Sequence, residues 1–234
     1  MSYKYTENAN YEDFSGGRVI HHSTRFTNYP VRLASEIFMR CLARVNKSMV
    51  NVYDPCCGSG YLLTVLGLRY GECINYFYAS DVSPKAVSLA KKNLKLLSAK
   101  GILSRKNELE TLYQTYKKDS HKEAVESADR LSKLASGKGI PFDAFDRDIL
   151  AGKHDYPKVD VIIVDVPYGG LVEWSSSDIS AINTMLDNLL DNLHLDGVVA
   201  ISSDKRQKIN NPVYKRVEKF QVGKRKIEIM TRRQ

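Results

Sequence analysis

One pattern restricts the fold of this chain more than any other feature: short apolar segments alternate with segments whose apolar residues recur at helical spacing. The clearest apolar segment is Val159–Asp165, an almost unbroken run of aliphatic residues that is typical of a central parallel strand. Neighbouring parallel strands require long crossover connections, which helices normally provide. The alternation therefore predicts an α/β fold with a mostly parallel sheet and helices on both faces.

The other elements follow from the same periodicities and from helix-start signals. Ser83 and Pro84 predict a helix cap and the first helical residue after a strand. The last two β-rich runs, 213–222 and 226–231, meet at Gly223 and predict an antiparallel hairpin at the sheet edge. The earlier predicted strands cover 49–54, 75–81, 142–145, 159–165 and 197–202, and two of the predicted helices cover 31–45 and 179–193. We therefore predict a seven-stranded sheet that ends in this hairpin.

The positive charge of the chain is concentrated at its C-terminal end. The net charge is +8, and residues 197–234 hold eleven Lys or Arg against three acids, so the first 196 residues are formally neutral. Concentrated positive charge attracts polyanions and favours a nucleic-acid partner. The alternative is a solvated basic hairpin. The candidate RNA contacts are Lys205, Arg206, Lys208, Lys215, Arg216, Lys224, Arg225 and Lys226.

The length of 234 residues suits one substantial core. We predict a single domain over 1–234, with an N-terminal extension and helix at 1–48 and a basic hairpin at 205–234. Residues 98–139 interrupt the alternation with a polar stretch that is longer than an ordinary crossover loop. Its apolar residues predict two helices, which could form a lid, an RNA-contacting arm or a solvated insertion. The two stripes are Leu109, Leu112, Tyr113 and Tyr116, and Val125, Ala128, Leu131 and Leu134.

Composition excludes several other classes of protein. The sequence contains neither a run of 18 apolar residues nor an apolar N-terminal stretch of the secretory type. Its four cysteines, Cys41, Cys56, Cys57 and Cys73, include no Cys-x-x-Cys pair, so neither a disulfide framework nor a metal site is expected. We expect a cytoplasmic monomer without a membrane partner.

A glycine-containing turn follows the first predicted strand. Residues 54–60 read Asp-Pro-Cys-Cys-Gly-Ser-Gly, and the glycines allow the backbone to bend tightly and to approach a ligand. A dinucleotide fingerprint would need a third glycine where Leu63 stands, and the lysine of a phosphate loop is absent. Asp54 would repel a pyrophosphate but would suit a ligand with an ammonium and a sulfonium group. We therefore predict a cationic ligand near Asp54, Cys56, Gly58 and Gly60.

Acidic residues also follow the next two strands. Asp81 ends the second strand, where a carboxylate can accept hydrogen bonds from ribose hydroxyls, and we assign the adjacent Val82 to the same ligand. A helix-capping aspartate is the alternative for Asp81. Asp148 follows the third strand, where it would contact an adenine amino group or lie in an acidic surface turn.

The end of the fourth strand carries the most specific motif. Residues 165–169 read Asp-Val-Pro-Tyr-Gly, which resembles the Asp/Asn-Pro-Pro-Tyr motif of amino-methyltransferases, with Val166 at the first proline. Asp165 and the backbone carbonyl beside Pro167 could accept the protons of a planar nitrogen and orient it towards a methyl donor. Tyr168 would stack on a flipped base, or alternatively pack in the core.

Together with the block at 26–38, these motifs resemble the avilamycin-resistance type of 23S ribosomal RNA methyltransferase. The resemblance implies a Rossmann-like class I methyltransferase fold, S-adenosylmethionine as donor, and a guanine of 23S rRNA or its large-subunit precursor as acceptor. It also implies positions near the cofactor for Tyr29 and Arg32. Guanine presents two adjacent donors, N1–H and the 2-amino group, and the choice between them stays open. The alternatives are an N-methyltransferase for DNA adenine or protein glutamine, and a non-catalytic RNA- or ribosome-binding protein with a vestigial cofactor fold.

Overall fold

A computed structural model describes residues 3–24, 26, 28–135, 137, 139–166 and 178–233, with the side chains of 178–180 excluded. Pro167 and Tyr168 lie outside the described residues. The strands are β1 (Val50–Asp54), β2 (Ile74–Asp81), β3 (Phe142–Asp146), β4 (Val159–Asp165), β5 (Leu193–Asp204), β6 (Tyr214–Val222) and β7 (Arg225–Arg232). The α-helices are α1 (Val31–Val45), α2 (Tyr61–Tyr70), α3 (Pro84–Lys95), α4 (Ala99–Tyr116), α5 (Asp119–Ser132) and α6 (Asp178–Leu189).

The strands form a seven-stranded sheet in the order β3-β2-β1-β4-β5-β7-β6. Strands β1 to β5 are parallel, whereas β7 is antiparallel to both β5 and β6. The predicted fold class is confirmed, including the C-terminal antiparallel hairpin and the helices of the insertion. Because β7 pairs with β5, β6 lies at one edge of the sheet and β3 lies at the other.

Helices cover both faces of the sheet. Val161 and Ile163 of β4 face the core formed with α1, α2 and α3, whereas Ile162 and Val164 face the core formed with α6. Both sets of side chains are buried, which explains why the sequence of β4 is continuously apolar rather than alternating.

Local signals begin and end several elements where the sequence predicts. Ser83 accepts a hydrogen bond from the Ala86 amide, and Pro84 is the first residue of α3. The predicted helix at 179–193 is shorter than its apolar spacing suggests, since α6 ends at Leu189. Leu193 instead begins β5, because it pairs with Val159 of β4. The spacing alone does not distinguish these two environments for a buried leucine.

The insertion forms a helical hairpin that packs onto the N-terminal segment. Helices α4 and α5 contact each other, and Asp13 accepts hydrogen bonds from Arg130 and Ser127 of α5. Tyr116 and Leu134, which the apolar stripes include, are exposed because they lie at or beyond the helix ends. The buried apolar residues of α4 and α5 are Ile102, Leu109, Ala124, Ala128 and Leu131.

None of the helices in the described part of the chain is both long and apolar enough to span a membrane.

Candidate active site at the carboxyl edge of the sheet

Three carboxylates converge at one edge of the sheet. Asp54, Asp81 and Asp165 end β1, β2 and β4, and β1 pairs with both of the other strands. Parallel strands end at the same edge, so their last side chains lie close together. Burial raises the pKa of Asp54 well above its ordinary value, and the charges of Asp81 and Asp165 raise it further. The three side chains, which we call the carboxylate cluster, therefore share one electrostatic environment.

The backbone of the glycine turn is tied to this cluster. The side chain of Asp54 is buried, and its Oδ1 accepts a hydrogen bond of 3.1 Å from the Cys56 amide. The Oδ2 of Asp81 accepts one of 2.9 Å from the Gly58 amide, and its Oδ1 accepts one of 2.9 Å from the Ser83 amide. Burial raises the pKa of Asp81, although both amides oppose the shift. Asp81 thus contacts the start of α3 and also holds the turn against β2.

The two glycines of the turn meet different steric demands. Both have positive φ angles, 53° at Gly58 and 70° at Gly60. A Cβ at Gly60 would lie 2.9 Å from the Ala90 Cβ, so this glycine allows α3 to pack closely. A Cβ at Gly58 would meet the ring of Phe26 at 3.7 Å, which is ordinary contact. Gly58 therefore leaves the turn accessible beside the carboxylate cluster.

Asp148 and the carboxylate cluster both lie close enough to Cys56 for their charges to act on its thiol. Burial raises the pKa of the Cys56 thiol well above its ordinary value, and the charges of Asp54, Asp81, Asp148 and Asp165 add to the shift. Asp148 itself is exposed, and its Oδ1 accepts a hydrogen bond of 2.9 Å from the Leu150 amide. Asp148 therefore lies at the rim of the cluster.

Val82 presents an apolar surface at the same rim. It directly follows Asp81 and is 69% exposed, which is unusual for an aliphatic side chain at the end of an inner strand. An exposed valine beside a carboxylate can pack against a flat apolar ligand that binds at the cluster.

Asp165 is the third member of the carboxylate cluster, and it too is largely buried. Its side chain is 22% exposed, and burial raises its pKa to about 6, while Arg225 and the Ser202 hydroxyl oppose the shift. The Nε of Arg225 lies 3.9 Å from Asp165 Oδ1, and its guanidinium lies 5.1 Å from the ring centroid of the buried Tyr29. The structure thus brings Tyr29, Arg225 and Asp165 together.

Arg225 is one of the predicted RNA contacts, and the structure places its guanidinium beside Asp165. Arg225 begins β7 and pairs with Asp204 at the end of β5, so its side chain starts at the carboxyl edge and contacts the cluster. Sequence reasoning did not connect Arg225 or Ser202 with the site. The antiparallel pairing of β7 with β5 brings Arg225 to the site, and no local sequence motif predicts this pairing.

Lys226 also differs from its predicted role. Its side chain is 5% exposed, lies 3.4 Å from Glu228 Oε2 and donates to the Gln207 carbonyl. A strand alternates its faces, so a run of basic residues on one strand cannot all face solvent. Lys226 is therefore a buried ion-pair residue rather than an RNA contact.

The other candidate RNA contacts remain at the surface. Arg216 is half exposed and lies 2.7 Å from Glu228, and Arg206 is bonded to Asp204 at 2.9 Å. The exposed lysines among these candidates are Lys205, Lys208, Lys215 and Lys224. The hairpin thus retains a smaller basic surface than the residue count implies.

Arg32 contacts the N-terminal segment instead of the carboxylate cluster. Its Nη2 donates to the Thr6 carbonyl at 3.0 Å, and its guanidinium lies 3.8 Å from the ring centroid of Tyr3. Its position near the cofactor stays a prediction. We assign Arg32 to anchoring that segment.

The described residues contain no group of three or more His, Cys, Asp or Glu side chains that could hold a metal ion. The strand order, the glycine turn after β1 and the acids at the ends of β1, β2 and β4 together define a class I methyltransferase.

Comparisons with known proteins narrow this class. A family model described as rRNA methyltransferase AviRa matches residues 1–225. The chain belongs to this rRNA methyltransferase AviRa family.

Individual relatives agree with this assignment. The chain is 36% identical over 222 residues to the 23S rRNA (guanine(2535)-N(1))-methyltransferase of Streptomyces viridochromogenes, covering 91% of this chain and 88% of that protein. A crystal structure of the rRNA methyltransferase aviRa from the same organism has a TM-score of 0.88 and 34% identity, and the match covers 99% of this chain and 96% of that one. The ribosomal protein L11 methylase of Lactobacillus delbrueckii subsp. bulgaricus, at TM-score 0.52 and 16% identity over 87% of this chain and 80% of that one, shares the fold alone.

Proposed function

We propose that this chain transfers a methyl group from S-adenosylmethionine to N1 of a guanine in 23S rRNA. The observation that carries the proposal is the convergence of Asp54, Asp81 and Asp165 in one largely buried cluster. Membership of an rRNA methyltransferase family and the activity for which the relative with 36% identity is named support the choice of RNA, base and nitrogen.

The residues of the cluster fit S-adenosylmethionine. Buried carboxylates that repel one another are costly, and a ligand with an ammonium and a sulfonium group would neutralise them. Asp54 would bind the cationic part, Asp81 the ribose, and Asp148 and Val82 the adenine, while Gly58 lets the ligand approach the backbone. When bound, the cofactor supplies an electrophilic methyl group.

Asp165 would orient the acceptor base. An ionised carboxylate accepts hydrogen bonds but donates none, so Asp165 can accept from both N1–H and the 2-amino group of guanine. Adenine offers one donor beside an acceptor and would satisfy it less well. Arg225 favours the ionised form of Asp165, whose pKa of about 6 leaves it mostly charged at neutral pH. Asp165 would also accept the N1 proton as the methyl group is transferred.

The residues after Asp165 complete the proposed base site. Tyr168 would stack on the flipped guanine, and the backbone carbonyl beside Pro167 would accept a further hydrogen bond. Both residues lie outside the described part of the chain, so these roles are carried by the motif at 165–169.

The test is transfer of labelled methyl groups to 23S rRNA transcribed in vitro. We expect 1-methylguanosine on nucleoside mass spectrometry and a single site on nuclease mapping. Asp165→Asn should lower kcat/KM at least about 100-fold, while its affinity for RNA stays unchanged. Asp155→Asn, at an exposed position, is the matched control and should retain full activity. N6-methyladenosine or 2-methylguanosine as the product would contradict the proposal.

A further inference from the structure

A second basic region lies on α3 and α4, far from the hairpin in the sequence. Residues 82–107 contain seven Lys or Arg and no Asp or Glu. Acids elsewhere in the first 196 residues cancel this charge in a count over the chain, but they do not cancel it at the surface. The region spans all of α3 and the first half of α4.

Two depressions that share Lys92 lie along this region, and we call them together the groove. The first has a volume of about 370 Å³ and is lined by Phe26, Ser83, Lys85 and Lys92, among others. The second has a volume of about 540 Å³ and also includes Lys92. Because Phe26 is the nearest side chain to Gly58 and the Ser83 amide binds Asp81, the groove begins at the rim of the carboxylate cluster.

The groove presents a row of lysines. Lys85, Lys92 and Lys95 line it at positions i, i+7 and i+10 of α3, which places them on one helix face over about 15 Å. Lys100 and Arg105 of α4 line its far end. The four lysines are exposed, and among the described residues none of them lies within 4.0 Å of an acidic group.

The acid in the far part of the groove is already paired. Glu108 lies 3.0 Å from Arg105, whose Nε donates to the Val19 carbonyl. Burial lowers the pKa of the neighbouring His21, and the charges of Arg105 and Lys92 lower it further against Glu108. The groove therefore has net positive charge from end to end.

We propose that this groove binds the phosphate backbone of the rRNA substrate and guides the strand away from the methyl-transfer site along α3. The inference rests on the proposed function. Helix α3 packs on β2 and β3 at one end of the sheet, whereas the basic hairpin forms the other end. The carboxylate cluster lies between them, so RNA held on both sides presents one nucleotide to the cluster. A row of four exposed lysines suits a chain of phosphates rather than a single anion.

The test compares two triple variants with the same change in net charge. The groove variant carries Lys92→Gln, Lys95→Gln and Lys100→Gln. The control variant carries Lys91→Gln, Lys118→Gln and Lys133→Gln, at exposed positions outside the groove. Binding to unmodified 23S rRNA transcript is measured over a range of KCl concentrations, and S-adenosylmethionine affinity is measured by calorimetry.

We expect the groove variant to bind the transcript at least about tenfold more weakly near 0.15 M KCl and to lower the slope of log K against log salt by about 2. The control variant should stay within twofold of wild type. Both variants should bind S-adenosylmethionine as wild type does, since the lysines lie outside the carboxylate cluster. In the wild type, bound transcript should protect Lys92, Lys95 and Lys100 from chemical acetylation and leave Lys118 and Lys133 reactive.

Unchanged RNA affinity of the groove variant, or equal weakening of both variants, would overturn the proposal. If the wild type transfers no methyl group to RNA but the groove variant still binds RNA more weakly, the proposed function is wrong and the RNA-binding role of the groove is supported. If the wild type forms 1-methylguanosine and both triple variants bind and methylate RNA as the wild type does, the proposed function is supported and the RNA-binding role of the groove is wrong.

Discussion

At the scale of single residues, burial of Asp165 lowers stability at the pH where the site must work. Its pKa is raised from 3.8 to about 6 by burial. Between about pH 4 and 6 the folded chain keeps a proton on Asp165 that the unfolded chain has released, so the free energy of unfolding falls as the pH rises through this window. A folded state at pH 7 therefore carries the cost of a charged, partly desolvated carboxylate.

We expect Asp165→Asn to be more stable than wild type by up to about 3 kcal/mol at pH 8 and to differ little from it at pH 4. The neutral amide avoids the cost of ionising the buried carboxyl, and that cost is small at pH 4 because the folded carboxyl keeps its proton there. Urea unfolding of both proteins at the two pH values measures the difference. The same gain at pH 4 and pH 8 would contradict the electrostatic explanation.

Arg225 should control the protonation of Asp165. Its Nε lies 3.9 Å from the carboxylate and lowers the pKa of Asp165 against burial. In Arg225→Met, the pH at which kcat/KM for methyl transfer is half-maximal should rise by about one unit. Arg206→Met, at an exposed arginine of the hairpin region, should leave the profile unchanged. Equal shifts in both variants would mean that general charge, rather than this contact, sets the pKa.

At the scale of elements, a buried glutamate joins α1 to the N-terminal segment and to the edge strand. Glu36 is 1% exposed and pairs with Arg40, which also pairs with Glu218 of β6. Burial opposes ionisation of Glu36, but the bonds from its partners lower its pKa overall. Its other donors are the amides of Lys4 and Tyr5 and the hydroxyl of Thr6.

Glu36→Ala should therefore destabilise the chain by about 3 kcal/mol, because Arg40 and the N-terminal amides lose a buried acceptor. Arg44→Ala, on the same helix, removes a more exposed contact to Glu218 and should cost less than about 1 kcal/mol. Urea unfolding measures both changes, and limited proteolysis should cleave the N-terminal segment faster only in Glu36→Ala. Similar costs for the two variants would show that burial does not distinguish these contacts.

The elements themselves could be predicted wherever a local signal marks them. Helix α1 and strand β4 have the predicted ends, because apolar periodicity and an aspartate mark them. Strand β5 begins four residues before the predicted start, since pairing with β4 extends it past Gly197. The periodicity of a sequence indicates whether a residue is buried, but it does not indicate which strand or helix buries it.

At the scale of the whole molecule, the basic hairpin and the groove along α3 and α4 lie on either side of the carboxylate cluster. We expect the KM for rRNA to rise steeply with salt, with a log–log slope of about 4 or more, because several phosphate contacts release counterions. The KM for S-adenosylmethionine should change less than about twofold, since salt screens the largely buried side chains of the carboxylate cluster only weakly. Initial rates between about 0.05 and 0.3 M KCl test this, and parallel salt dependence of both constants would contradict it.

The sequence by itself determined the order of the elements, the strand pattern of the sheet and the acids that end β1, β2 and β4. These features depend on local periodicity, turn residues and the rule that parallel strands end at one edge. Only the tertiary structure decided which basic residues reach solvent. It turned Lys226 inward and placed Arg225 beside Asp165, and it aligned the lysines of α3 and α4 along one groove. The physical reason is that the charge of a surface depends on which basic residues the fold brings together and on which acids pair with them. A count of charges along the sequence contains neither kind of information.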